Sequence, residues 1–212
     1  MNMIGKFFGR SSSISPEEVF WRWFSKNSSR LLDFEADQER IFDELSHQLS
    51  QVHPDLTFEF SPKFEFGREF VISADGIRDA FHAVERLAQN APELPHWKVV
   101  AFRPRRSIEH GIRLGSLSLG SDDLWFYIEA DGSKVGLTLY IAYWENLDEK
   151  EARLASFLLL DNALGEYDVE TKLGFIECKP LPEDPERFGL MPFRKLTAAV
   201  DALFASLTRR LH

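Results

Sequence analysis

The stretch that decides the fold is DLWFYIEADGSKVGLTLYIAYW, residues 123–144. Two runs rich in β-branched and aromatic residues flank Asp131-Gly132, a pair that readily adopts the positive φ angles of a tight turn. This pattern predicts a β-hairpin with strands at Asp123–Ala130 and Lys134–Trp144. Neither run alternates strongly between apolar and polar residues, so we expect both faces of the hairpin to be at least partly covered, as in a central strand.

The hairpin opens a β-β-α-β unit that resembles an earlier one in the chain. After the hairpin, Asp148 as N-cap and Gly165 as stop signal bound a helix at Asp148–Leu164, and an apolar run predicts a strand at Lys172–Cys178. The earlier unit has predicted strands at Leu56–Phe60 and Gly67–Ser73, a helix at Asp75–Gln89 and a strand at Trp97–Phe102. Repeated units of this kind pool their apolar faces. We therefore expect an α+β fold: one mostly antiparallel sheet built from two β-β-α-β-like halves, 56–102 and 123–178, with helices packed on it.

The remaining segments frame these halves. Residues 1–13 are predicted to form a flexible tail, and 14–212 a single α+β domain. Ser15-Pro16-Glu17-Glu18 predicts a capped helix start, because serine can accept from the free amides and proline suits the first turn. Further predicted elements are helices at Phe34–Val52 and Pro192–Leu211, a strand at Ile112–Leu119, an edge strand at Gly165–Glu170 and a linker at Pro180–Pro192.

Charge is distributed unevenly along the chain. The net charge is −9, and residues 122–186 hold 16 acidic and 5 basic residues, a local net of −11. An anionic surface repels phosphate backbones and anionic lipid, so we expect no general nucleic-acid or membrane binding. A basic partner protein, a cation or simple solubility remain open.

Motifs for catalysis and cofactors are missing. The sequence contains no Gly-x-Ser-x-Gly elbow, Walker loop or Gly-x-Gly-x-x-Gly turn, and its histidines lack metal-site spacing. Cys178 is the single cysteine, which excludes an intramolecular disulfide and a cysteine-cluster metal site. We expect no cofactor and no metal. The absence of an apolar run long enough for a signal peptide or a membrane span predicts a cytoplasmic protein.

Two groups of residues are candidate binding sites. Arg103, Arg105, Arg106 and Arg113, with His110 between them, form the one concentrated basic segment. Guanidinium groups bind phosphate and carboxylate with two hydrogen bonds, so this segment is an anion-binding candidate; pairing with the protein's own acids or plain solvation are the alternatives. Trp21 and Trp23 on the first helix are candidates for aromatic docking, with core packing as the alternative.

Two short stretches also resemble a set of uncharacterised bacterial proteins of about this length. These are Phe20-Trp21-Arg22-Trp23-Phe24 and the segment from Leu160 to Asp168. The resemblance implies a bacterial cytosolic protein without an established activity, and it implies no catalytic residues.

Three functions fit these observations. The first is a non-enzymatic protein-binding or adaptor module, which would show an exposed apolar patch rimmed by the acids of 122–186. The second is a small-molecule binder for an anionic ligand, or an enzyme, with an aromatic-lined pocket between the two halves that contains the arginine segment. The third is a homo-oligomer joined through the first helix or an edge strand. The missing motifs do not decide between an enzyme and a binding protein.

Overall fold

A computed structural model describes residues 14–109, 111–115 and 117–209. The predicted tail at 1–13 lies outside the described residues. Within them the chain forms six α-helices and nine strands, which confirms the α+β class. The helices are α1 (Pro16–Leu32), α2 (Gln38–Ser50), α3 (Phe81–Gln89), α4 (Glu149–Leu164), α5 (Glu166–Lys172) and α6 (Leu196–Arg209). The strands are β1 (Thr57–Phe60), β2 (Arg68–Ser73), β3 (Trp97–Ala101), β4 (Ile112–Leu114), β5 (Leu117–Leu119), β6 (Leu124–Asp131), β7 (Lys134–Ile141), β8 (Leu173–Pro180) and β9 (Met191–Pro192).

The first half is a three-stranded sheet covered by helices α1 to α3. β2 lies in the centre, antiparallel to β1 and parallel to β3. Its Phe70 is fully buried, with ring centroids 6.1 Å from Phe20 and 4.8 Å from Phe24 of α1. Helix α1 starts as the sequence predicts, because the Ser15 hydroxyl accepts a hydrogen bond from the amide of Glu18 at 3.1 Å.

The second half repeats this arrangement around the predicted hairpin. β7 lies in the centre, antiparallel to β6 and parallel to β8, and the short strand β9 is added beside β6. Helices α4 and α6 pack on the sheet face that carries Leu124, Phe126 and Leu139. Asp148 caps α4 as predicted, since its carboxylate accepts from the amides of Lys150 and Glu151 at 3.0 Å.

The repeat in element order therefore extends to strand direction and strand order, but the expected single sheet is wrong. The strands form three sheets: β1-β2-β3, β4-β5 and β8-β7-β6-β9. The physical reason is that each half has its own helices to cover its apolar face. Two separate apolar cores result, one around Phe24 and Phe70 and the other around Phe126 and Leu159.

Two local predictions were also wrong. The expected edge strand at Gly165–Glu170 is helical, because Gly165 adopts φ +79° and redirects the chain into α5 directly after α4. The expected single strand at Ile112–Leu119 is a small antiparallel hairpin, β4 and β5. In the predicted helix at Asp75–Gln89, the α-helix proper begins only at Phe81.

Candidate functional site

Arg103 lies where the two halves meet, after the end of β3. Its guanidinium forms ion pairs with Glu59 of β1 and with Asp75 in the turn after β2, both at 2.5 Å. Burial works against the charge of this side chain, but its hydrogen bonds to Asp75 and Glu59 keep the pKa of Arg103 above its ordinary value. Both partners come from the first half, so the cation is already neutralised within the protein.

Arg105 is bound in a network with acids of the second half. It donates to Asp201 of α6 at 2.7 and 2.8 Å and to Asp168 of α5 at 2.5 Å. Hydrogen bonding to Arg105, joined by Lys172, lowers the pKa of Asp201 to about 2. This arrangement is the alternative in which the arginines pair with the protein's own acids.

The remaining members of the basic segment are less constrained. The Arg106 guanidinium is 3.8 Å from a carboxylate oxygen of Glu69, whose other oxygen pairs with Lys98 at 2.8 Å. Arg113 is exposed on β4, and none of the ion pairs among the described residues involves it. His110 lies outside the described residues. The four arginines therefore do not converge on one point.

A cleft of about 300 Å³ opens between the halves beside Arg103. We call it the charged cleft; its lining is Glu59, Asp75, Arg103, Pro104, Arg106, Ile112, Leu158, Asp161 and Asn162. The second half contributes Leu158, Asp161 and Asn162 from α4, and the Asn162 carbonyl accepts from the Arg106 amide at 2.7 Å. The lining contains none of the tryptophans or tyrosines that the sequence predicts for a pocket between the halves.

Asp161 differs from the other carboxylates of the charged cleft. Burial, together with the nearby charges of Glu166, Glu170 and Asp75, raises its pKa to about 6, against the opposing attraction of Arg103. Within the described part of the chain its carboxylate forms no ion pair. An ionisable group with a displaced pKa in a concave site is a general indicator of function.

The aromatic docking candidates on α1 lie in different surroundings. Trp21 is 4% exposed, and its indole nitrogen donates to the carbonyl of Leu87 at 2.8 Å. This is core packing, because both the ring and its polar atom are satisfied inside the first half. Trp23 is partly exposed and lies 6.3 Å from the ring of Phe20.

A second concave surface lies on the sheet β8-β7-β6-β9, on the face opposite to α4 and α6. Along β6 and β7 this face carries Trp125, Tyr127 and Tyr140, in alternation with the core residues. The connection from β8 to β9 runs from one edge of the sheet to the other and forms the opposite wall. The resulting cavity of about 540 Å³, here called the aromatic groove, is lined by Tyr127, Tyr140, Pro180, Pro182, Phe188 and Leu190.

Carboxylates lie on the strands and the connection that form the aromatic groove. Glu129 follows Tyr127 on the same strand face, Glu177 lies opposite Thr138 on β8, and the connection adds Glu183, Asp184 and Glu186. All five are exposed; Lys179 and Arg187 are the cations of the same segments, which leaves a local net charge of −3. Lys179 is itself paired with Glu177 at 2.8 Å.

The tyrosines and Phe188 of the groove were not among the site residues predicted from the sequence. One signal was available: Trp125, Tyr127 and Glu129 alternate with Leu124, Phe126 and Ile128 in the hairpin, which places the first set on the face away from the core. The contribution of Phe188 had no such signal, because it comes from a segment interpreted as a linker.

Comparisons of the chain with protein-family models, with curated proteins and with solved structures found no match. Among the described residues, no cluster of three or more histidine, cysteine or acidic side chains has the arrangement to hold a metal ion. None of the helices in the described ranges has the length and apolar character needed to cross a membrane. The site must therefore be interpreted from its own geometry.

Proposed function

We propose that this protein is a non-enzymatic protein-binding module, and that its aromatic groove holds a basic, apolar segment of a partner protein. The observation that carries the proposal is a groove lined by aromatic, proline and leucine side chains and surrounded by exposed carboxylates. This is the combination that the sequence analysis named as the mark of an adaptor.

The apolar contribution comes from side chains that are exposed without a partner. Phe188 is 64% exposed and Tyr127 is 44% exposed, although both belong to residue types that gain most from burial. Clustered exposed aromatics of this kind mark interaction surfaces, and aromatic residues dominate the energetics of such surfaces. A partner that covers both rings would remove this apolar area from water.

The charge of the rim determines the partner's chemistry. Five exposed carboxylates against two cations favour lysine and arginine on the incoming segment and disfavour an acidic one. Rim charges mainly accelerate association and exclude wrong partners, while the apolar floor supplies affinity. The two parts of the groove therefore predict separable effects.

The size of the groove favours a segment over a folded domain surface. A cavity of about 540 Å³ accommodates a few side chains. One of its walls is the connection between β8 and β9, so the concavity is bounded on the side of the sheet edge. An extended stretch with alternating basic and apolar residues matches this shape, because successive side chains can enter the groove or reach the rim.

A defined peptide tests the proposal. The probe is a fluorescein-labelled extended peptide that alternates arginine with leucine and proline, and binding is followed by fluorescence anisotropy. Tyr127→Ala and Phe188→Ala should each weaken binding about tenfold or more, because truncating an aromatic anchor costs about 1–3 kcal/mol. The matched control is Tyr143→Ala, since Tyr143 is 73% exposed and lies outside the groove.

The charge contribution needs its own variants. Replacing Glu183, Asp184 and Glu186 together by their amides should weaken binding and flatten its dependence on salt. A peptide with glutamate in place of arginine should not bind. Wild-type affinity of both aromatic variants, or equal binding of the acidic peptide, would contradict the proposed function.

A further inference from the structure

The arginines of the charged cleft are less available to a ligand than one of its carboxylates, Asp161. Arg103 is shared between Glu59 and Asp75, and the Arg106 guanidinium is directed toward Glu69 at the first sheet. A guanidinium that already holds two carboxylates offers little to an incoming anion. Arg103 and Arg106, two of the four arginines of the predicted anion site, are therefore engaged by the protein's own side chains.

Asp161 is the group left over. It lies on α4 facing the cleft, and within the described residues its carboxylate has neither an ion pair nor a hydrogen-bond donor that would lower its pKa. A half-buried carboxylate without such partners is costly in its charged form. A cation that enters the cleft would remove this cost.

Part of the lining of the charged cleft is apolar. Leu158 lies one helical turn before Asp161 on α4, and Ile112 and Pro104 come from the connection between the halves. The volume of about 300 Å³ is at the lower end of the range for small-molecule sites. Such a site suits a short alkyl stem with a single charged head.

We propose that the charged cleft binds a small alkylammonium ion, with its ammonium group on the carboxylate of Asp161 and its alkyl stem against Leu158 and Ile112. The ammonium supplies the hydrogen-bond donors that Asp161 lacks, and its charge opposes the acidic excess of the cleft. This proposal concerns a different surface from the aromatic groove and does not depend on it. The stem belongs either to a free amine or to a lysine side chain of a partner protein, since the two share the same chemistry.

The site has a defined dependence on pH. The charged groups that act on Asp161 are Arg103 from the first half, Asp75 from the turn after β2, and Glu166 and Glu170 from α5. Burial, with the smaller combined effect of these charges, raises the pKa of Asp161 to about 6. Since only the ionised carboxylate attracts the cation, binding should strengthen as the pH rises through this value and release a proton below it.

The test is titration calorimetry of the full chain with n-butylammonium chloride. Wild type should bind saturably at pH 8, and affinity should fall about tenfold at pH 5, because only about a tenth of Asp161 is then ionised. Asp161→Asn should weaken binding at pH 8 by about tenfold or more and should remove the pH dependence. Asp43→Asn is the matched control, since Asp43 is an exposed aspartate on α2, outside both the charged cleft and the aromatic groove.

A second ligand distinguishes a free amine from a partner's lysine, and a folding control and an anionic ligand test the specificity of binding. Nα-acetyl-lysine methylamide binding more tightly than n-butylammonium would assign the site to a partner's lysine, and the reverse order to a free amine; both orders support the cation site. Thermal unfolding of Asp161→Asn verifies that the variant is folded. No saturable binding of n-butylammonium to wild type, unchanged affinity in Asp161→Asn, or preferential binding of propionate would overturn the proposal.

Discussion

The sharpest test of the architecture is Glu166→Gln, at the first residue of α5. Glu166 is 2% exposed, and its carboxylate accepts hydrogen bonds from three backbone amides of the first half. The donors are Ala74 at 2.9 Å and Gly76 at 3.2 Å to one oxygen, and Arg103 at 3.1 Å to the other. Glutamine preserves the size of the side chain but replaces one acceptor oxygen with a donor, so it cannot satisfy all three amides.

The expected cost follows from these contacts. At least one amide loses its acceptor and faces an NH₂ group, which costs about 1–3 kcal/mol for an unsatisfied buried donor. The surviving bonds lose their charge-assisted character, and this weakens them by roughly half. Together we expect the free energy of unfolding to fall by about 3–4 kcal/mol, within the range for breaking a buried charged contact.

Urea denaturation measures this change, and Glu170→Gln is the control. Glu170 lies one turn further along the same helix, and its carboxylate pairs with Arg78 at 3.1 Å on the surface. The same chemical change there should cost no more than about 0.5 kcal/mol, because exposed ion pairs contribute little. Equal losses in the two variants, or a loss below about 1 kcal/mol for Glu166→Gln, would refute the role of Glu166 in joining the halves.

Two further predictions concern stability. Asp161→Asn should raise the free energy of unfolding by about 1–2 kcal/mol at pH 8. The reason is that a pKa raised from 3.8 to about 6 penalises the ionised carboxylate in the folded protein, and partial exposure reduces this penalty. In urea denaturation the gain should decrease as the pH falls through 6 and be absent below 3.8. A gain that persists at pH 3.5 would contradict this. Gly67→Ala should destabilise the first half by more than about 3 kcal/mol in thermal or urea unfolding. The φ of Gly67 is +147°, and an added Cβ would lie 1.8 Å from the His96 carbonyl oxygen. Gly132→Ala should cost only about 1–2 kcal/mol, because Gly132 has φ +62° and open space around the Cβ position.

The local elements were predictable because their causes are local. The hairpin follows from Asp131-Gly132 between two β-forming runs, and α4 follows from an Asp148 cap and a Gly165 stop. The parallel pairs β2–β3 and β7–β8 were not predicted, although a helix between two strands favours a parallel pair. The number of sheets did not follow, because the sequence pattern cannot say whether two apolar faces meet each other or separate helices.

The helical state of α5 shows where local reasoning fails. The alternation of Tyr167 and Val169 with acidic residues is typical of an edge strand. In the structure Glu166 points into the first half, and Tyr167 packs against Phe102 with ring centroids 5.1 Å apart. These contacts join residues far apart in the chain, so no window of sequence contains them.

The candidate sites show the same division. The arginine segment was identified, and two of its members, Arg103 and Arg106, do line one cleft. Their neutralisation by Glu59, Asp75 and Glu69 was not predictable, because these acids lie 28 to 44 residues earlier, on β1, on β2 and in the turn after β2. The charge of an isolated segment therefore does not by itself determine the sign of the ligand that we propose there.

The acidic excess of residues 122–186 overstates how many carboxylates a partner can contact. Glu166 is consumed as a buried acceptor, Asp168 pairs with Arg105 and Lys172, and Asp161 lies within the cleft. Glu166 and Asp168 therefore contribute to net charge but not to a surface that a partner meets. For the partner segment that we propose, affinity should depend on the acids beside the aromatic groove and vary little with exposed acids elsewhere, such as Asp122 and Glu149. The binding that we propose therefore depends on where the charged residues lie in the structure, and not on the net charge of the chain.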